Sequence, residues 1–110
     1  MSRAFHTRLV GVSFNNRQKN IKDLKPGFRL FFIHEKDNIY DANSILVYAD
    51  PEMKIELGHL RRELAAEFVK RIAEGVRHEI FVDQVTGGED KKSFGVNVRV
   101  MIRDIGDRGG

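Results

Sequence analysis

Along the chain, apolar and polar positions sort into short runs separated by turn residues, with one stretch of helical period in the second half. Phe5 to Phe14 mixes apolar and polar positions with β-branched Thr7, Val10 and Val12, which suits a strand with one covered face. Gly11 interrupts it and marks a bulge or a close backbone approach. Asn15 to Gly27 is polar, asparagine-rich and basic, and ends in the turn signal Lys25, Pro26, Gly27. It reads as a loop with a helical turn around Ile21 and Leu24.

Phe28 to His34 is almost continuously apolar, so the pattern predicts a strand buried on both faces at the centre of the core. After the polar stretch Glu35 to Asn43, strands are expected at Ser44 to Ala49 and Ile55 to Leu60, joined by a turn at Asp50 and Pro51. From Arg61 to Glu74 the period becomes helical: Leu64, Phe68 and Ile72 lie four apart, with Ala65 and Val69 beside them and Gly75 as the C-terminal cap. Two last strands, Arg77 to Val85 and Ser93 to Ile102, flank a hairpin loop at Thr86 to Lys92 that contains Gly87 and Gly88.

Six strands and one clear helix predict a mainly β fold, a small β-barrel with one or two helices, because closure removes the edges of strands this apolar. No repeat or internal linker divides the chain, so one domain is expected over residues 1–104, with a flexible tail at 105–110.

Composition narrows the function. The 110 residues, 41% of them hydrophobic, suffice for one modest core. With no cysteine, disulfides, thiolate metal sites and cysteine nucleophiles are excluded. No apolar run approaches the roughly 20 residues that span a bilayer, and Met1 to Phe5 lacks a signal-peptide core, so a soluble, cytoplasmic protein without membrane contact is expected. Net charge is only +3, but it is unevenly spread. Through residue 25, six cations (Arg3, Arg8, Arg17, Lys19, Lys22, Lys25) face Asp23 alone, a net of +5, and the remaining chain sums to −2. Any footprint for phosphate would therefore involve the first strand and the loop after it; the plain alternative is a solvated loop.

Two stretches carry candidate chemistry. In Asp37 to Asn43, Tyr40 can stack on a base through its ring face, while Asp41 can accept from a base amine or a sugar hydroxyl, a terminal 3′-hydroxyl among them. Equally, Asn38 and Asp41 can form Asx turns while Tyr40 packs on the barrel rim. In Leu57 to Leu64 a strand runs into a basic helix start, where backbone amides together with Arg61 or Arg62 favour an anion. A solvated first turn is the alternative, though arginines there oppose the helix dipole.

An enzyme fits less well. His6, His34, His59 and His78 match no compact ligand spacing, so neither a metal nor another cofactor is expected. His59 with Asp41 or Glu63 could form a hydrolytic pair, but no nucleophile motif or phosphate-cradling glycine loop accompanies them. A protein-interaction module, using an exposed sheet edge for strand addition, is a further alternative.

The ordered set Val10-Gly11-Val12, Asn16-Arg17-Gln18, Gly27, Asn38-Ile39-Tyr40-Asp41, Ile45-Leu46-Val47 and Leu57-Gly58-His59-Leu60 running into Arg61-Arg62-Glu63-Leu64-Ala65 resembles the HIRAN domain over about residues 5 to 103. HIRAN domains occur fused to DNA-remodelling helicases and as short standalone proteins in bacteria and phages. The resemblance implies a six-stranded OB-like barrel that grips the 3′ end of single-stranded DNA, with a helicase or nuclease as the protein partner to expect. It also implies an accessory domain of a DNA-processing enzyme as an alternative setting.

By the same resemblance Asp41 would accept from the terminal 3′-hydroxyl, Tyr40 and Phe14 would hold terminal bases, and Asn38 would buttress the pocket. His59 and Arg62 would contact phosphate. Phe94, placed in the loop before the last strand, would flank the bound base, with core packing as its alternative. The chain departs from the helicase-fused domains at Ser13, Phe14 and Asn15, where those carry Arg-Tyr-Tyr, and at Ile39, where proline is usual. Arg17 or Lys19 is the cation that could replace the missing arginine. The whole reading requires the Tyr40–Asp41 turn and the basic end of the fourth strand to share one surface.

Overall fold

A computed structural model describes residues 2–90 and 92–103. The tail expected at 105–110 lies outside the described residues. Six strands form one antiparallel sheet: β1 (Ser2–Arg8), β2 (Arg29–His34), β3 (Ile45–Tyr48), β4 (Glu56–His59), β5 (Arg77–Gly87) and β6 (Phe94–Arg103), in the order β1-β6-β5-β2-β3-β4. Two helices accompany them, α1 (Arg17–Ile21) and α2 (Arg62–Ala73). The expected mainly β, OB-like barrel is thus the fold of the chain.

The first strand is shorter than its pattern suggests. β1 ends at Arg8, and the chain then leaves β6 to reach the far edge of the sheet. Leu9 N–H still donates to Val96 O at 3.0 Å, whereas Val10 exchanges two hydrogen bonds of 2.9 Å with His59 on β4. This single bridge joins the two edges. Gly58 permits it, because a Cβ there would lie 2.7 Å from Val10 O and 3.0 Å from Val12 Cγ1.

The core lies between the sheet's inner face and α2. β3 is buried throughout, and Ile80, Val82, Val96, Val98, Val100 and Ile102 alternate inward from the β5–β6 hairpin. Helix α2 seals one end with Ala65 and Phe68, the latter edge-on to Phe32 at 4.8 Å between ring centroids. Ile72, expected on that face, is exposed. Gly75 caps α2 as expected, in a Schellman arrangement: Val76 N–H donates to Arg71 O and Gly75 N–H to Ile72 O.

The apolar run on β2 is not the centre of the core. Only Leu30 is fully buried there, while Phe28 precedes the strand and is half-exposed with Ile33. The outward ring of Phe31 is covered instead by the Arg29 guanidinium, 5.7 Å from its centroid, which lies equally close to Phe81. Arg99 covers Phe81 as well, at 5.3 Å. Cation–π contact thus lets aromatic rings stand on the outer face of a strand whose composition reads as interior.

One carboxylate is buried on the sheet. Glu79, 7% exposed, accepts from Arg103 Nε at 2.7 Å and Arg29 Nη1 at 3.1 Å, with Arg77 at 3.7 Å. The Arg103 hydrogen bond, opposed by burial and aided by the arginine charges, holds its carboxyl below the ordinary value.

Two outcomes follow from this architecture. Gly58→Ala should cost about 1–3 kcal/mol, as overpacking does, and should accelerate amide exchange at Val10 and His59 above that at the other β4 amides. Retained protection at both amides would show that the bridge tolerates a side chain. Because Glu79 titrates lower folded than unfolded, its stabilisation is present above the unfolded value and is lost as pH falls through the folded one. Denaturant midpoints measured against pH should therefore fall less steeply below roughly pH 4 in Glu79→Gln than in the wild type.

Candidate nucleic-acid interface

The turn between β2 and β3 is fixed by its own side chains. Asn38 Oδ1 accepts from the Tyr40 N–H at 2.8 Å and the Asp41 N–H at 3.2 Å, and Asp41 Oδ1 accepts from the Asn43 N–H at 2.9 Å. Asx turns are therefore present, but Tyr40 does not pack on the rim: it is 85% exposed, and Ile39 beside it 89%. The turn holds a phenol ring and a branched aliphatic chain out in solvent on a stiff backbone.

Below the turn, Glu35 is the hub of a polar network. Its Oε1 accepts from Ser44 Oγ at 2.8 Å and pairs with His59 Nε2 at 2.9 Å. Burial alone would raise the Glu35 carboxyl, but hydrogen bonds from Ser44, His59 and the Asn38 side chain outweigh it and hold the group below the ordinary value. On the other side of the imidazole, Arg17 Nη1 stands 3.5 Å from His59 Nδ1. A guanidinium only donates, so in the neutral ring this contact favours the tautomer with its proton on Nε2, facing Glu35.

Arg17 is committed internally. It is 6% exposed, and its guanidinium binds Glu56 Oε1 through Nε at 3.2 Å and Nη2 at 3.0 Å, and the Gly11 carbonyl through Nη1 at 2.8 Å. Arg17, for which a phosphate contact was expected, is thus buried and bound between α1 and β4. Lys19, the other cation considered, is exposed and lines a cleft beside α1.

Gly11 gathers this side of the interface. With φ at +67°, it is surrounded at its missing Cβ by Arg17 Nη1 at 3.2 Å, Phe14 Cδ2 at 3.5 Å and His59 Nδ1 at 3.8 Å. Phe14 itself is 65% exposed. At the start of α2, Arg61 is the N-cap residue and no side chain caps the helix. Arg62 is extended into solvent, with Nε 3.9 Å from Asp41 Oδ2. The Tyr40–Asp41 turn, the end of β4 and the first turn of α2 therefore share one surface, with Phe14 adjoining through Gly11 and His59.

Phe94 is the first residue of β6, paired with Gly87: it lies in the strand expected at Ser93 to Ile102 and not in the loop that the resemblance assigned to it. Its ring is partly buried over Gly88, and its backbone is clamped by Gln18, which donates to Phe94 O at 2.9 Å and accepts from its N–H at 2.7 Å. Packing, the alternative considered for this ring, describes its surroundings.

Three contributors escaped the sequence reading. Ile39 was signalled only by being apolar within a polar turn. Glu35 resembled a solvated loop residue, since His59 lies 24 positions away, and Gln18 clamps a strand 76 positions distant. Among the described residues no group of three histidine or carboxylate side chains gathers as a metal site, and no helix is long and apolar enough to cross a membrane.

Comparison with known proteins places this arrangement. No curated protein matches the chain. The fold is similar to the crystal structure of a Lactobacillus plantarum protein, with TM-score 0.67 and 18% identity over 92% of this chain and 98% of that one. It is also similar to the HIRAN domain of human HLTF, with TM-score 0.61 and 16% identity over 92% of this chain and 77% of that one. The HIRAN domain family model matches residues 2–103, and the chain accordingly belongs to the HIRAN domain family, a family of DNA-binding domains.

Proposed function

We propose that this chain is a non-enzymatic module that binds single-stranded DNA and captures its 3′-hydroxyl end at the surface shared by Tyr40, Asp41, His59 and Arg62. The observation that carries the reading is the approach of Arg62 Nε to within 3.9 Å of Asp41 Oδ2, beside a tyrosine 85% exposed. An acceptor, a mobile cation and an open ring face then stand within reach of one nucleotide.

Each group has a distinct task. The terminal base stacks on Tyr40, with Ile39 extending the apolar contact and Phe14 holding the neighbouring base. Arg62 and the uncapped first turn of α2 take the last phosphate, where amides and guanidinium both donate. Asp41 accepts from the 3′-hydroxyl; a 3′-phosphate placed there would meet a carboxylate and be repelled. His59 and Arg17 act mainly from behind, since the imidazole and guanidinium already have partners in Glu35, Glu56 and the Gly11 carbonyl. A helicase or nuclease acting on the same end is the partner class this role suits.

The test compares one labelled oligonucleotide bearing a 3′-hydroxyl, a 3′-phosphate or a blocked duplex end. The hydroxyl form should bind roughly tenfold or more tightly, on the scale of one hydrogen bond to a charged group. Equal affinities for all three would remove end capture, and no binding even at low salt would remove the DNA reading altogether. Asp41→Ala should abolish discrimination between hydroxyl and phosphate while retaining general affinity. Tyr40→Ala should instead lose about 1–3 kcal/mol on every single strand.

A further inference from the structure

The cations of the first quarter of the chain are not exhausted by the surface just described. Lys19 and Lys22 project from α1 and its C-cap, and Lys54 from the turn between β3 and β4; all three are exposed. Among the described residues none of them forms an ion pair. They border two adjoining clefts of about 290 Å³ and about 460 Å³, which share Asn20 and Ile55 and so make one groove.

The groove has two kinds of lining. Its floor is apolar, with Phe28 48% and Ile55 41% exposed, and Leu24 and Ala49 between them and the core. Its rim carries the three lysines and the amides of Asn15, Asn16 and Asn20, against Asp23 and a Glu56 already bound by Arg17. Rings and aliphatic chains below, with separated cations above, suit a strand that lays its bases down and its phosphates outward.

The groove neighbours the proposed end site. Asn15 follows Phe14 directly, and Arg17 both lines the first cleft and reaches His59. We infer that this groove carries the single strand onward from its captured end, seating the next few nucleotides on the 5′ side over Ile55 and Phe28 with their phosphates on Lys54, Lys19 and Lys22. The inference rests on the single-strand reading above and assigns the path that the strand takes away from Tyr40.

The experiment uses the full chain and the triple variant Lys19→Gln, Lys22→Gln, Lys54→Gln, with equal thermal melting as the check on folding. Each is titrated with a trinucleotide and a dodecanucleotide, both bearing a 3′-hydroxyl, across a range of salt. In the wild type the longer strand should bind more tightly and with the steeper salt dependence. The triple variant should lose that advantage, its logarithmic salt slope for the longer strand falling by about 2, from three phosphates at about 0.7 each. Its trinucleotide affinity and its preference for a 3′-hydroxyl should stay at wild-type values.

An unchanged slope and affinity for the dodecanucleotide would overturn the groove while leaving end capture standing. Lysine-dependent binding of the longer strand with no preference for a 3′-hydroxyl would do the reverse, supporting the groove and removing end capture. Failure of the wild type to bind either strand would remove both, whereas an acidic peptide that binds through the three lysines while the dodecanucleotide ignores them would remove the groove alone.

Discussion

The pair of hydrogen bonds between Val10 and His59 is the constraint on which the rest of the molecule depends. Without it the sheet would run from β1 at one edge to β4 at the other, leaving two lines of unpaired amides and carbonyls in solvent. With it, the segment after β1 is delivered to the end of β4, and Gly11 turns the chain back into the loop that carries Phe14 and α1. His59 serves twice: its backbone closes the barrel and its ring joins Arg17 to Glu35. Closure and site assembly are one event, so a chain that failed to close would also scatter the residues of the interface.

The polar groups around His59 divide into those that face each other and those that face out. Arg17 pairs with Glu56, Glu35 is bonded by Ser44, Asn38 and His59, and His59 links the two groups; a partly buried network of this kind contributes more to fixing one arrangement than to net stability. Removing one member would leave its partner without compensation. Arg62, Tyr40, Ile39 and Phe14 are the outward set, and among the described residues the ion pair of Arg62 is a 3.9 Å approach to Asp41.

The order of elements was legible because each rests on local rules. Short apolar runs bounded by turn residues marked β3 to β6, the 3.6 period marked α2, and Gly75 stopped it. What failed were judgements about environment. The run Phe28 to Ile33 has the composition of an interior strand, but hydrophobic content does not distinguish a ring covered by Val from one covered by the Arg29 guanidinium. Arg17, in a polar loop, read as a cation open to phosphate; its acceptor Glu56 lies 39 positions away and only the fold brings it near. The hairpin loop is shorter than expected because β5 extends to Gly87 and not to Val85. The candidate surface itself was legible mainly through the ordered motifs, since nothing local ties the turn at Asp41 to the helix start at Arg62.

The stiffness of that turn decides how much its exposed residues can contribute. Ile39 and Tyr40 leave large apolar area in water, an arrangement folding does not reward. Their backbone is nonetheless held by Asn38 Oδ1 on two amides, by Asp41 on Asn43, and by backbone bonds from Asn38 to Glu35 and from Ser44 to Asp41. Ordering is therefore completed when the chain folds, and a ligand that covers the two side chains need immobilise little beyond their rotamers. Desolvation of the ring and the aliphatic chain is then available almost undiminished to binding. The bond from the Asn43 N–H also fixes the Asp41 carboxylate, so it is held partly covered within 3.9 Å of Arg62 by the same bonds that stiffen the turn.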